Sequence, residues 1–286
     1  MEWRGGRRGG NIEDRRGMGG GAVVGGGVGI LGIAAVLLGV FVFDMDPQQA
    51  MDLVGGAGGG AQPVQEGKVG TPTDEAGQFV DVVEQSTTEV WTAIFAASGQ
   101  KYQRPAGAVL YDGATGTGCG TGQAAMGPFY CPSDQKMYLD LTFWNELETK
   151  FGASGEFARA YVIAHEVGHH VQNLEGAMEK AQRAGMRGSE SGAVRLELQA
   201  DCYAGVWAAR AGTQAGGGLR FNAQDITDGL GAASAVGDDT IQKKTQGRVV
   251  PDAFTHGTAA QRMRWFRAGY EAGDPAACDT FNARSL

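Results

Sequence analysis

The sequence predicts an α+β domain, mostly helical with a small antiparallel sheet, preceded by one transmembrane helix. Three observations lead there. A few short β-like runs give way to a succession of helical patterns, the arrangement of a domain with one dominant core. No fixed-period repeat is visible, which excludes solenoids and propellers. Residues 22–43 contain no charge and no strongly polar group. The chain of 286 residues is 42% hydrophobic and 20% charged, a globular composition able to bury a core. Its net charge of −8 excludes a basic nucleic-acid-binding face.

Residues 1–21 read as a cytoplasmic Arg/Gly-rich tail. Arg4, Arg7, Arg8, Arg15 and Arg16 stand against Glu2, Glu13 and Asp14, giving +2 over residues 1–16 and −10 over the remainder. As a helix, residues 22–43 span about 33 Å, enough for a hydrocarbon core of ~30 Å. No Lys or Arg follows until Lys68, so the N-terminus is expected in the cytoplasm and the rest outside it, on a single-pass cell-membrane anchor. A cleaved signal peptide competes with this reading, but the run exceeds a typical signal core and no Ala-x-Ala site follows. Residues 44–74, rich in Gly, Pro and Gln, read as a flexible linker.

The folded domain is expected over 75–286. Phe79, Val83, Val90, Ile94 and Phe95, with Trp91 beside them, recur at helical spacing up to Gly99. Ala108–Tyr111 and Lys136–Leu141 read as short strands around a glycine-rich loop holding Cys119 and Cys131. Helical patterns follow at about 143–151, 155–175, 190–211, 223–236 and 258–271. None of the four cysteines has CxxC spacing, which argues against a thiolate zinc site. Of three possible disulfide pairings, Cys119–Cys131 as a loop staple with Cys202–Cys278 tying the tail to the core is preferred. Four free thiols in a cytosolic protein would contradict the predicted topology.

The chemistry concentrates in Ala160–Gln172, AYVIAHEVGHHVQ, where His165, Glu166 and His169 form an HExxH pattern. Residues four apart share a helix face, about 6 Å apart along the axis, so both imidazoles can reach one zinc ion. Glu166, one residue round, is placed to take a proton from the attacking water. A third ligand is needed. In RLELQADCYAGVWAA, Glu197 and Asp201 stand four apart on another predicted helix. Glu197 completes a His₂Glu set, and Asp201 can accept the ring N–H of a ligand histidine. A solvated acidic face is the bland reading of this pair, but the surrounding Leu196, Leu198, Ala200, Tyr203 and Val206 argue for burial.

Two readings of His256, in PDAFTHGTAAQRMRWF, stay open: an oxyanion partner with Arg262 nearby, or a helix-start histidine without chemistry. His170 points off the ligand face and reads as packing or surface. Asp140 reads as a strand-face or turn residue.

HEVGHHVQ, LELQADCYAGVWA, THGTAAQR and GCGTGQAAMGPFYCPSDQKMYLD together resemble the bacterial membrane-anchored "putative neutral zinc metallopeptidase" family, over roughly residues 75–286 plus the anchor. HExxH with a downstream ExxxD also looks, more distantly, like the gluzincin clan. The resemblance implies a zincin-like metallopeptidase domain holding one zinc per chain through His165, His169 and Glu197, with Glu166 as general base. Integral-membrane gluzincins of the CAAX-processing type carry Thr-His-Pro with an arginine six residues after the histidine. Thr255, His256 and Arg262 match that pattern, and Gly257 replaces the proline.

The expected activity is a zinc endopeptidase acting on protein or peptide substrates, with His256 as a further catalytic candidate. An extended substrate is expected along an edge strand, with Lys136–Leu141 the candidate. The rivals are a zinc-containing envelope scaffold without catalysis and a hydrolase of a cell-wall peptide amide. Three protein ligands with a fourth position open favour catalysis over a structural site.

Overall fold

The computed structural model describes residues 1–18, 66–123, 127–149, 152–212 and 218–286. The predicted span 22–43 lies outside them. Among the described residues, no helix is long and apolar enough to cross a membrane.

The chain begins with strand β1 (Ile12–Asp14), returns through β2 (Lys68–Gly70), and enters helix α1 (Glu75–Ala97). Asp74 caps α1 by accepting from the Gly77 N–H, and its apolar stripe from Phe79 to Phe95 is buried as the spacing predicts. Next come β3 (Gly107–Tyr111), the hairpin β4 (Ala114–Thr117) and β5 (Gly120–Gln123), then β6 (Phe129–Cys131) and β7 (Lys136–Asp140). Five strands form one sheet in the order β2-β1-β3-β7-β6.

This sheet corrects three sequence expectations. It is mixed, not antiparallel: β3 lies parallel to both β1 and β7, and only the two outer pairs are antiparallel. The cause is the connections. Helix α1 crosses over between β1 and β3, and the β4–β5 hairpin with β6 intervenes before β7, so neither parallel pair is joined by a tight turn. Second, Lys136–Leu141 is not an edge strand. β7 lies between β3 and β6 with Met137, Tyr138 and Leu139 all fully buried.

Third, residues 1–18 are not a free tail and residues 66–74 are not linker. β1 sits inside the sheet, with Ile12 fully buried and in register with both Gly70 and Ala108. Trp3 packs edge-on against Phe79 of α1. No local periodicity signals these placements, because all are held by partners far away in sequence.

The helical layer follows: α2 (Phe143–Thr149), α3 (Glu156–Glu175), α4 (Ala177–Arg183), α5 (Gly192–Ala211), α6 (Ala223–Ala235), α7 (Asp238–Gln246) and α8 (Ala259–Ala272). Helices α4 and α7 are additions to the predicted set; both are short and largely polar. Helix α3 is the centre, packed against α1, α5 and α6. Helices α5 and α8 meet backbone to backbone. A Cβ at Gly205 would lie 2.1 Å from the Phe266 carbonyl oxygen, and one at Gly269 1.9 Å from that of Cys202. The expected disulfides are present: Cys119–Cys131 joins the hairpin region to β6, and Cys202–Cys278 pins the C-terminal segment to α5.

Candidate metal centre

Helix α3 carries His165, Glu166 and His169, and helix α5 carries Glu197 and Asp201. What lets the two helices supply one site is Gly168. A Cβ there would stand 3.1 Å from both the Cα and the carbonyl oxygen of Ala200, so the helices touch through backbone at this level. Gly168→Leu should push α5 away from α3 and lower metal affinity by about 10-fold or more before the fold is lost, since ligand geometry tolerates only tenths of an ångström. Metal titration against a circular dichroism melt checks this.

The donor atoms of His165, His169 and Glu197 all lie within 4.8 Å of one another. His165 Nε2 is 3.2 Å from Glu197 Oε2, and His169 Nε2 is 3.4 Å from Glu197 Oε1. The other ring nitrogens are already engaged. His165 Nδ1 donates to Asp201 Oδ1 at 2.9 Å, and His169 Nδ1 donates to Gln172 Oε1 at 2.8 Å. Both imidazoles are thereby oriented with Nε2 facing the Glu197 carboxylate, the arrangement that metal-ligating histidines need.

Charge points the same way. Burial alone would lower the His165 imidazole, yet Asp201 and Glu197 outweigh it and raise its pKa to about 10. Burial would raise Glu197, but His169 and His256 hold its carboxyl well below the usual range. The pocket is therefore arranged around a positive charge, and a divalent cation fits this His₂Glu donor set. Glu166, also buried, is pushed up by desolvation against the opposing pull of the two histidines. Its place beside the ligands, outside the group that could hold the ion, suits a proton acceptor.

Arg262, whose Nη2 stands 3.9 Å from Glu197 Oε2, is engaged chiefly with Asp201. It is 3% exposed and clamps Asp201 with both arms of its guanidinium, Nε to Oδ2 at 2.8 Å and Nη2 to Oδ1 at 2.9 Å. The Tyr161 hydroxyl donates to the same Asp201 oxygen. Tyr161, four residues before His165, lies on the same face of α3 as the ligands.

His256 stands in the loop just before the Thr258 cap of α8, its side chain half-exposed and its charge felt at Glu197. Its loop is organised by Asp238, the first residue of α7, which the sequence reading did not single out. Asp238 Oδ2 accepts from the backbone N–H groups of Thr255, His256 and Gly257 at 2.8, 2.7 and 2.9 Å, and Oδ1 lies 3.2 Å from His256 Nδ1. Nothing local in the sequence marks it, because its partners are 17 to 19 residues away. Gly257 has φ +88, and a Cβ there would stand 3.1 Å from Val194 and 3.3 Å from Leu198. A proline, fixed near −65°, cannot adopt that backbone, so the Thr-His-Gly loop follows its own path.

His170 is fully buried, donating from Nε2 to the Gln103 carbonyl at 2.7 Å and accepting from the Tyr130 hydroxyl at Nδ1, 3.0 Å away. It is a packing residue tying α3 to β6. Asp140 accepts from the Gly113 and Thr142 N–H groups and the Thr142 hydroxyl, the turn role expected of it. The strand that ends the sheet next to α3 is β6, and it takes the edge position expected of Lys136–Leu141.

A family model described as "putative neutral zinc metallopeptidase" matches residues 1–281. The chain is 43% identical over 290 residues to "Uncharacterized protein YpfJ" of Escherichia coli (strain K12), covering 98% of this chain and 99% of that protein. It is 49% identical over 208 residues to "Uncharacterized protein Rv2575" of Mycobacterium tuberculosis (strain H37Rv), covering 70% of this chain and 69% of that one. No solved structure matches the chain.

Proposed function

The chain belongs to the family described as "putative neutral zinc metallopeptidase", and from that premise we propose that it is a zinc-dependent endopeptidase in which Glu166 is the general base. The observation that carries this reading is the convergence of two Nε2 atoms on the Glu197 carboxylate, with the buried Glu166 carboxyl left over beside them. His165, His169 and Glu197 would hold the ion. When bound, zinc supplies Lewis acidity, lowering the pKa of water and polarising the scissile carbonyl. Glu166 accepts the proton of the attacking water and delivers it to the leaving amine. Asp201 and Gln172 hold the ligand imidazoles in their tautomers. His256, steadied by Asp238, donates a hydrogen bond to the oxygen on which charge develops. An extended peptide lies along β6, an outermost strand of the sheet among the described residues and a neighbour of α3.

Asp238→Ala should leave zinc content unchanged and lower kcat/KM by about 10- to 100-fold, part of the ~10²–10³ that one oxyanion donor contributes. Peptide hydrolysis measured beside metal analysis separates the two effects. The two disulfides support a domain that works outside the cytoplasm, with the apolar run 22–43 as its membrane attachment.

The test is metal analysis of the purified protein and of His165→Ala, run with a peptide-library cleavage assay. One zinc per chain, lost in the variant, together with cleavage that the variant lacks, is the expected result. Bound zinc without cleavage of any peptide would leave a zinc-holding scaffold, and no zinc in either protein would remove the catalytic reading.

A further inference from the structure

We propose that residues 1–18 and the catalytic domain fold as one unit on one side of the membrane, so that the connector 19–65 leaves and returns on the same side. A single crossing with the N-terminus in the cytoplasm and the domain outside is then impossible; any crossings come in even number.

The argument starts from what residues 1–18 satisfy. Asp81 and Glu84, on α1, are both fully buried carboxylates. Asp81 Oδ1 accepts from the Gly9 and Gly10 N–H groups at 3.0 and 2.8 Å, and Glu84 Oε1 accepts from Asn11 Nδ2 at 3.1 Å. Carboxylates buried this deeply need such donors, and moving the segment across a bilayer would strip them away. The same move would take β1 from between β2 and β3, leaving the edges of both unpaired. It would also remove Trp3, whose Nε1 donates to Glu156 at the start of the helix bearing the HExxH residues.

The arginines bear on the topology directly. Read as sequence, the five form a positive cluster that holds the N-terminus in the cytoplasm. In the fold each has a partner. Arg4 pairs with Glu75, Arg7 with Glu89 at 2.7 Å, Arg8 with Gln78 at 3.0 Å, and Arg16 with Asp14 and Asp74 at 2.7 and 2.6 Å. Arg15 is 4% exposed, bonded to Glu13, Thr115 and the Gly116 carbonyl. All five thus meet domain residues directly, Arg16 by bridging β1 to the cap of α1. These arginines therefore have partners in the domain, and their cluster does not by itself place the N-terminus on the opposite membrane face from it.

The two ends of the connector also lie side by side. Asp14 is in register with Lys68, and the Gly67 N–H donates to Glu13 Oε1 at 2.9 Å. Chain that departs after Met18 therefore comes back to the strand it left.

The experiment is cysteine accessibility in the full chain. Gly5 has open space around it and Glu271 is exposed on α8, and all four native cysteines are bridged. Gly5→Cys and Glu271→Cys are made singly, and spheroplasts are treated with a membrane-impermeant maleimide before and after permeabilisation. Melting temperature of each purified variant, compared with the parent, checks that the fold is intact. Both positions labelling before permeabilisation, or both only after it, is the expected result. Labelling of one before and the other only after overturns the proposal. Because neither variant touches the metal centre, this outcome is independent of whether the site hydrolyses peptides.

Discussion

Glu166→Gln should keep its zinc and lose its turnover. The substitution preserves size and leaves His165, His169 and Glu197 untouched, so metal content should match the parent within error. Removing a positioned general base typically costs about 10²–10⁴ in rate, and kcat should fall by that much with KM little changed. The paired measurement is metal analysis and steady-state peptide hydrolysis on one preparation. Retention of parental activity would remove Glu166 from the mechanism and shift the base role to another group. The size of the effect follows from burial: Glu166 is 6% exposed, so bulk water has little access with which to replace its proton acceptance.

The motif helix was readable because its information is local. His165 and His169 share a face by spacing alone, and the apolar residues between Tyr161 and Val171 mark the face that packs. Glu197 and Asp201 were readable for a related reason: two acids four apart in an otherwise apolar helix need something to neutralise them. The family resemblance drew on the same stretches and added the order in which they occur.

What stayed hidden depends on contacts distant in sequence. Ile12–Asp14 reads as a charged scrap in a glycine-rich tail, yet it is a sheet strand because Gly70 and Ala108 pair with its two edges. Asp238 looks like an ordinary acid in a helix first turn until its three backbone donors from the His256 loop are seen. The placement of Lys136–Asp140 could have been improved from sequence. Met137, Tyr138 and Leu139 form an unbroken apolar run, and a strand lacking polar alternation is buried on both faces. That points to the interior of a sheet, where β7 lies.

Arg262→Met should be the most destabilising single change near the site, costing about 3–5 kcal/mol in the metal-free protein. Methionine approximates the stem of arginine, so the volume is largely kept. The loss arises because Asp201, fully buried, would keep its charge without the guanidinium that faces both its oxygens. In the parent, burial works to raise the Asp201 carboxyl, and Arg262 with His165 outweighs it, holding the group below its ordinary value. A depressed folded pKa contributes stability that is present above the unfolded carboxylate pKa of about 3.9 and is lost as pH falls through the folded one. In the variant only His165 and Tyr161 remain to oppose burial, so the folded carboxyl rises and less of that stability is available at neutral pH. The deficit between parent and variant should therefore be greatest near neutral pH and shrink on acidification through the carboxylate range. Urea unfolding in chelator at several pH values measures it. Arg262→Lys restores charge but not the two-armed grip, so it should recover part of the stability. A deficit independent of pH would mean that Arg262 acts through packing alone, and the chain from Arg262 through Asp201 to His165 would lose its electrostatic basis.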